Sequence, residues 1–213
     1  PHDQHPEPRR HAIRQSADRS LSLLHRGPID PVGRSDGGDQ GFPKIQDGGS
    51  FKLEDVKYGP QFDRLLKNLD KPEFRKILCD KFDLDVMDLP MITLRGYSRQ
   101  KDGRIHTDSK TKVLTILIYL NEDWTAETGK LRILRSKDDM NDYVAEINPG
   151  PGSLLAFKVT DNGWHGYPAF EGKRQSIQIN FLTGAAASSK HKFFHGLSAK
   201  LKKLRRKGME DDY

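Results

Sequence analysis

The residues with the clearest capacity for chemistry are His106 and Asp108, in the run Asp102-Gly103-Arg104-Ile105-His106-Thr107-Asp108. On an extended strand the side chains at i and i+2 leave the same face, so this imidazole and this carboxylate aim at one point. Such a pair supplies two ligands of the facial triad of two histidines and one carboxylate that suits non-heme Fe(II). The third ligand has to be a second histidine brought in by folding. Of the eight histidines, His2, His5, His11 and His25 lie in a polar N-terminal stretch, and His191 and His195 lie in a basic tail. That leaves His165, in the polar turn Thr160-Asp161-Asn162-Gly163-Trp164-His165-Gly166, as the candidate. Nine residues beyond it stands Arg174. A guanidinium holds a carboxylate by two parallel charge-assisted hydrogen bonds, which is what anchoring a dicarboxylate cosubstrate demands.

These side chains need a frame that joins distant stretches of chain. From Met91 onward short apolar runs alternate with polar, glycine-bearing turns, and strands are expected over 92–97, 104–108, 113–120, 130–135, 144–147, 153–159 and 174–182. The uninterrupted run 113–120 has the pattern of a strand buried on both faces. Short strands at near-regular spacing indicate an all-β sandwich or barrel. In the last strand Ile177, Ile179 and Phe181 share one face, while Arg174, Ser176, Gln178 and Asn180 share the other. In a barrel with a ligand cavity that polar set lines it; in any other setting it faces solvent. Ahead of the strands, helices are expected over 59–70, with Phe62, Leu65, Leu66 and Leu69 at helical spacing, and over 72–82. Pro72 suits the first turn of the second helix, and Phe74, Ile77, Leu78 and Phe82 are read as its apolar face. Both faces are expected to back a sheet.

A length of 213 residues suits one domain with tails. Residues 1–43 shuffle Pro, Gly, Arg, Asp and His around brief apolar content at Leu21, Leu23 and Leu24, too little to offset the entropy of ordering, and read as a disordered or loosely ordered arm. The domain is placed at 44–187. In 188–213, Phe194, Leu197, Leu201 and Leu204 form a narrow helical stripe among basic residues, read as an amphipathic helix packed on the domain ahead of a membrane-surface or nucleic-acid contact. Eight Lys or Arg and no acid fall between Lys190 and Lys207, so that of the formal net charge of +6 the rest of the chain carries −2. Basicity belongs to the tail, and nucleic acid is not the partner expected at the site. The lone Cys79 excludes an intrachain disulfide and a cysteine-rich zinc module, and it fits a reducing compartment. The apolar run 113–120 is far short of the roughly 20 residues of a spanning helix, and the opening residues lack a basic region followed by an apolar stretch. A soluble cytoplasmic protein is expected.

Together these residues resemble the Fe(II)- and 2-oxoglutarate-dependent oxygenase superfamily, in particular its prolyl-4-hydroxylase-like branch. The likeness runs from about Met91 to Thr183. It comprises Tyr97 before a turn, His106-Thr107-Asp108, Leu114-Thr115-Ile116-Leu117-Ile118-Tyr119-Leu120-Asn121, Gly129-Lys130-Leu131-Arg132, Pro151-Gly152-Ser153-Leu154-Leu155-Ala156-Phe157, His165 and Arg174. The resemblance implies a double-stranded β-helix, a jelly-roll barrel with helices backing one sheet. It implies that His106, Asp108 and His165 bind Fe(II), that Arg174 pairs with the distal carboxylate of 2-oxoglutarate, that Tyr97 or Tyr119 assists, and that Ser176 adds a cosubstrate hydroxyl. O2 is the co-reactant and ascorbate an optional reductant. The aspartate at 108 is like the hydroxylases and unlike the halogenases, which have a small residue there. Relatives usually show Gly-Gly before the leucine of the middle strand; here Thr128-Gly129-Lys130-Leu131 is expected to alter a turn more than the site. The implied reaction is hydroxylation of an unactivated C–H bond in a small-molecule or peptidyl substrate, with release of succinate and CO2. Its rivals are a non-catalytic jelly-roll binding domain and a nucleic-acid modifying oxygenase guided by the basic tail.

Overall fold

The computed structural model describes residues 41–85 and 90–184, together with the backbone course of Leu23–Arg26. The amphipathic helix read in the C-terminal tail lies outside the described residues, as does most of the N-terminal arm.

Among the described residues nine strands follow in chain order: β1 (Leu23–Arg26), β2 (Phe51–Lys52), β3 (Met91–Ser98), β4 (Lys112–Tyr119), β5 (Leu131–Leu134), β6 (Tyr143–Ile147), β7 (Leu154–Lys158), β8 (His165–Gly166) and β9 (Gly172–Leu182). Between β2 and β3 come a short 3-10 turn (Leu53–Asp55) and two helices, α1 (Pro60–Leu69) and α2 (Pro72–Phe82). One sheet has the order β1-β7-β4-β9-β3-β2 and a smaller one the order β6-β5-β8. The fold is mainly β with supporting helices, two sheets in the jelly-roll manner. They are hydrogen-bonded as separate sheets rather than as one closed barrel.

Alternation along the central strands explains how the layers assemble. On β4 and β9, Leu114, Ile116, Ile118, Ile177, Ile179 and Phe181 turn outward and pack with Phe62, Leu65, Leu66 and Leu69 of α1 and Leu78 and Phe82 of α2. The alternate residues turn inward, where Tyr119, Leu155 and Phe157 meet Leu131, Ile133, Ile147 and Tyr167 from the small sheet and its margin. The apolar run at 113–120 is therefore a strand covered on both sides. The polar set of β9 lines the inner face: Arg174, Ser176 and Asn180 are buried.

Both helices begin with proline at their first position, where no amide bond is lost. α2 ends at Asp83, held in the left-handed region at φ 50°, a conformation that aspartate tolerates better than most residues. Ile77, expected on the buried face of α2, is 61% exposed. The sheet covers only the narrow stripe of Phe74, Leu78 and Phe82, spaced by four, and Ile77 falls beside it.

Three further differences concern the site. Residues 104–108 are not a regular strand; His106 makes an isolated antiparallel bridge to His165. Residues 165–166 are a short strand, where the sequence suggests only a turn. Leu23–Arg26, inside the stretch read as a loose arm, pairs antiparallel with β7, and Phe42 at its end is buried in the core.

Candidate metal centre

His106 and His165 are 59 residues apart in sequence and directly opposed in space. The His106 amide donates to the His165 carbonyl at 3.0 Å and the His165 amide to the His106 carbonyl at 2.9 Å. His165 is held from its other side by β5, opposite Ile133. The two imidazole rings stand 4.3 Å apart between centroids. With Asp108 they offer three ligand atoms within 4.8 Å of one another.

The hydrogen bonds around this cluster prepare it for a cation. Nδ1 of His106 donates to the Arg104 carbonyl at 2.8 Å, and Nδ1 of His165 to the Gly163 carbonyl at 2.9 Å. A carbonyl only accepts, so each Nδ1 carries a proton, and Nε2 is the nitrogen left to serve a metal when the ring is neutral. Burial pushes the pKa of His165 down, and the charge of His106 lowers it further. Burial pushes the Asp108 carboxyl up, yet hydrogen bonds from Lys112 (Nζ to Oδ1, 2.6 Å) and Thr115 (Oγ1 to Oδ2, 2.5 Å) outweigh it and leave the group below the usual carboxylate range. A carboxylate has lone pairs enough to serve those donors and a metal together. Two imidazoles and an ionised carboxylate suit a divalent transition metal with open positions.

The inner face of the large sheet leads from this cluster to Arg174. Thr115, which touches Asp108, sits opposite Asn180 on β9; four residues along β4, Tyr119 sits opposite Ser176. Between the pairs Arg95–Ser176 and Tyr97–Lys173, β3 contributes one residue and β9 two, so Arg174 lies in a bulge. Bulges re-aim side chains beside functional sites. This one is secured by Asn121, whose Oδ1 accepts from the Gln175 amide at 2.7 Å and whose Nδ2 donates to the Pro149 carbonyl at 2.6 Å.

Arg174 is 3% exposed. Its Nε donates to the Gly129 carbonyl at 3.0 Å and an Nη to the Tyr119 hydroxyl at 3.3 Å, while the guanidinium carbon lies 4.0 Å from the centre of the Tyr167 ring. Among the described residues no acidic side chain pairs with it. A buried guanidinium without an anion is costly and suits an anionic ligand.

The structure thus gathers His106, Asp108 and His165 at one point, and Tyr119 and Ser176 at the Arg174 end of the same face. Tyr97 is half-buried and is joined through its backbone, opposite Lys173 and beside Gly48. Lys112, Thr115, Ser98 and Tyr167 were not singled out by sequence. Tyr167 shares a hydrogen bond of 3.0 Å with the buried Ser98 hydroxyl and forms the platform under Arg174. The i+4 spacing of Lys112 from Asp108 was the one local signal for any of them. A separate open concavity of about 510 Å³, lined by 100–104, 140–141 and 167–169, contains none of the three ligand candidates.

Comparison with known proteins bears on this geometry. Residues 92–182 match the profile described as the 2OG-Fe(II) oxygenase superfamily. No curated protein matches the chain. Among solved structures, a Pseudomonas putida prolyl-4-hydroxylase is similar at 20% identity and a TM-score of 0.46, over 59% of this chain and 64% of that one. A Phytophthora capsici prolyl 4-hydroxylase follows at 17% and 0.44, over 59% and 43%. A Trichoplax adhaerens prolyl hydroxylase, solved with a peptide fragment of hypoxia inducible factor, is similar at 18% and 0.41, over 60% and 56%. The matched part of this chain spans less than two thirds of each. Likeness at that level says nothing about substrate. The matched segment, residues 92–182, takes in His106, Asp108, His165 and Arg174, and over that segment the chain is similar to the 2OG-Fe(II) oxygenase superfamily.

Proposed function

We propose that this protein is a 2-oxoglutarate-dependent hydroxylase in which His106, Asp108 and His165 hold Fe(II) and Arg174 anchors the cosubstrate. The observation that carries the reading is the convergence of the three ligand atoms within 4.8 Å, on a sheet face whose far end bears a buried, acid-free arginine. When bound, iron and 2-oxoglutarate supply the oxidation of an unactivated C–H bond by O2, with the cosubstrate leaving as succinate and CO2.

The chain contributes position and protonation state. Gly163 and Arg104 carbonyls fix both imidazoles with Nε2 as the ligand atom. Thr115 and Lys112 keep Asp108 ionised and limit its rotation. Arg174, stiffened between Gly129, Tyr119 and Tyr167, offers its remaining N–H groups to the distal carboxylate of the cosubstrate. Tyr119 and Ser176 add hydroxyls at the same end, and Tyr97 stands at its edge. Leu117, Leu155 and Phe157 make the wall between the two ends apolar, which strengthens each charge pair inside it.

The test is anaerobic titration of the full chain with Fe(II) and 2-oxoglutarate, followed by succinate release in air. Wild type is expected to develop the visible charge-transfer band of the chelate and to release succinate. Asp108→Ala and His165→Ala are expected to lose both, and Arg174→Gln to weaken cosubstrate binding by about tenfold or more. Undiminished succinate release in either ligand variant overturns the assignment. Chelate without succinate from any substrate favours a binding domain.

A further inference from the structure

Filling the site as proposed leaves positive charge on its inner face, and Arg95 stands where that charge collects. Arg95 lies directly opposite Ser176 in the β3–β9 register, and Ser176 directly opposite Tyr119 in the β9–β4 register. Directly opposed residues point to one face, so Arg95, Ser176 and Tyr119 form a row across the inner sheet.

The local partners of Arg95 do not use it up. One Nη donates to Ser50 Oγ at 3.2 Å, and the other lies 3.8 Å from Asp102 Oδ2, beyond hydrogen-bond range. Asp102 is already held by Arg99, through the backbone amide at 3.0 Å, Nε at 3.3 Å and an Nη at 3.1 Å. One carboxylate thus faces two guanidiniums. The Arg95 side chain is 28% exposed, which leaves it reachable by a ligand yet partly shielded from water. Lys101 and Arg104 add two further cations to the same loop, against Asp102 alone.

The charge balance, which rests on the oxygenase reading, points outward to the substrate. A divalent metal is matched by Asp108 and the 2-oxo-carboxylate end of the cosubstrate, and the distal carboxylate is matched by Arg174. Lys112 stays with Asp108, which the metal shares, and Arg95 and Arg99 are left with Asp102 alone. We infer that Arg95 is a substrate-binding arginine, held at the rim of the inner face by Asp102 and Ser50, and that the substrate of this protein carries a carboxylate or phosphate group that Arg95 grips. Arg99 acts as a positioning residue, since it fixes the carboxylate against which Arg95 rests.

The full chain is loaded with Mn(II) and 2-oxoglutarate and titrated by calorimetry with N-acetylglycine, inorganic phosphate and the neutral N-acetylglycinamide. At least one anion is expected to bind and the amide not to; the two anions separate carboxylate from phosphate recognition. Arg95→Gln is expected to weaken that anion about tenfold or more, and Arg95→Lys less. Lys76→Gln, on the exposed face of α2, controls for net charge and is expected to leave the affinity unchanged. The inference falls if neither anion binds, if the amide binds as well as the acid, or if Arg95→Gln binds the anion within about twofold of wild type. It also falls if Arg95→Gln loses 2-oxoglutarate affinity about tenfold, which makes Arg95 a cosubstrate anchor. Thermal unfolding checks each variant, and Arg95→Lys carries the comparison if Arg95→Gln does not fold. A wild type that fails to bind 2-oxoglutarate overturns the oxygenase reading itself.

Discussion

At the scale of single residues, the burial of His165 and Asp108 ties the stability of the metal-free protein to pH. Burial and the neighbouring His106 depress the pKa of His165, whereas in the unfolded chain it titrates near its ordinary value of about 6.5. Between those values the unfolded state binds a proton that the folded state refuses, so stability falls as pH drops below about 6.5. Asp108 and Asp102 have the opposite chemistry and the same sign. Burial raises each carboxyl, but Lys112 and Thr115 for Asp108, and Arg99 for Asp102, leave both below the ordinary range. Their contribution is complete above the unfolded carboxylate pKa of about 3.9 and is lost as pH falls through the folded value. Urea midpoints measured in EDTA from neutral to acid pH are expected to decline in two stages. His165→Gln removes the first stage, and parallel curves for wild type and variant would show that His165 is not its source. Much of this residue-level picture was legible in the sequence: His106 and Asp108 by spacing, His165 by elimination. The partners of Asp108 were less so, because Thr115 reaches it from a neighbouring strand whose register depends on the whole sheet.

At the scale of elements, the turn before β5 shows how a local rule serves the site. Gly129 has a φ of +76°, and a Cβ there would lie 2.8 Å from both the Phe170 and the Trp124 rings, which pack with centroids 4.7 Å apart. Lys130, by contrast, has no positive φ, so a lysine in place of the second glycine of the relatives costs the turn little. The Gly129 carbonyl accepts the Nε proton of Arg174. Gly129→Ala is therefore expected to cost about 1–2 kcal/mol of stability through backbone strain and to weaken 2-oxoglutarate binding about fivefold by moving that carbonyl. Unchanged cosubstrate affinity at a lowered unfolding midpoint would separate the turn from the site. Strand periodicity gave β3, β4, β5, β6, β7 and β9 to within two residues, since alternation is a local property, but it missed β1, β2 and β8 and placed a strand over 104–108 where there is none. The bulge at Arg174 and the isolated bridge at His106 escaped it, because each depends on how a distant segment of chain pairs with it rather than on a local period.

At the scale of the whole molecule, the large sheet is closed at one side by a strand from outside the family-matched segment. β1 pairs with β7 in the register Leu23–Phe157 to Arg26–Leu154, and β7 lies next to the central β4. Composition suggested a loose arm here, because four residues in a polar stretch carry no detectable period. What places these four is their pairing along β7, a partner distant in sequence. Without them β7 becomes an edge strand of sequence Leu154-Leu155-Ala156-Phe157-Lys158, apolar for four of its five residues. An exposed apolar edge with unpaired amides and carbonyls is a template for pairing with another chain. A chain beginning at residue 41 keeps the triad, Arg174 and both helices, so it is expected to bind Mn(II) as wild type does while self-associating as its concentration rises. Light scattering across a dilution series, with metal titration on the same samples, checks both halves. A truncated chain that stays monomeric would mean that β7 does not need β1 as a cover. Lost metal binding in a folded monomer would mean instead that β1 supports the inner face through Leu155 and Phe157, the second of which lies 5.0 Å from the ring of His165.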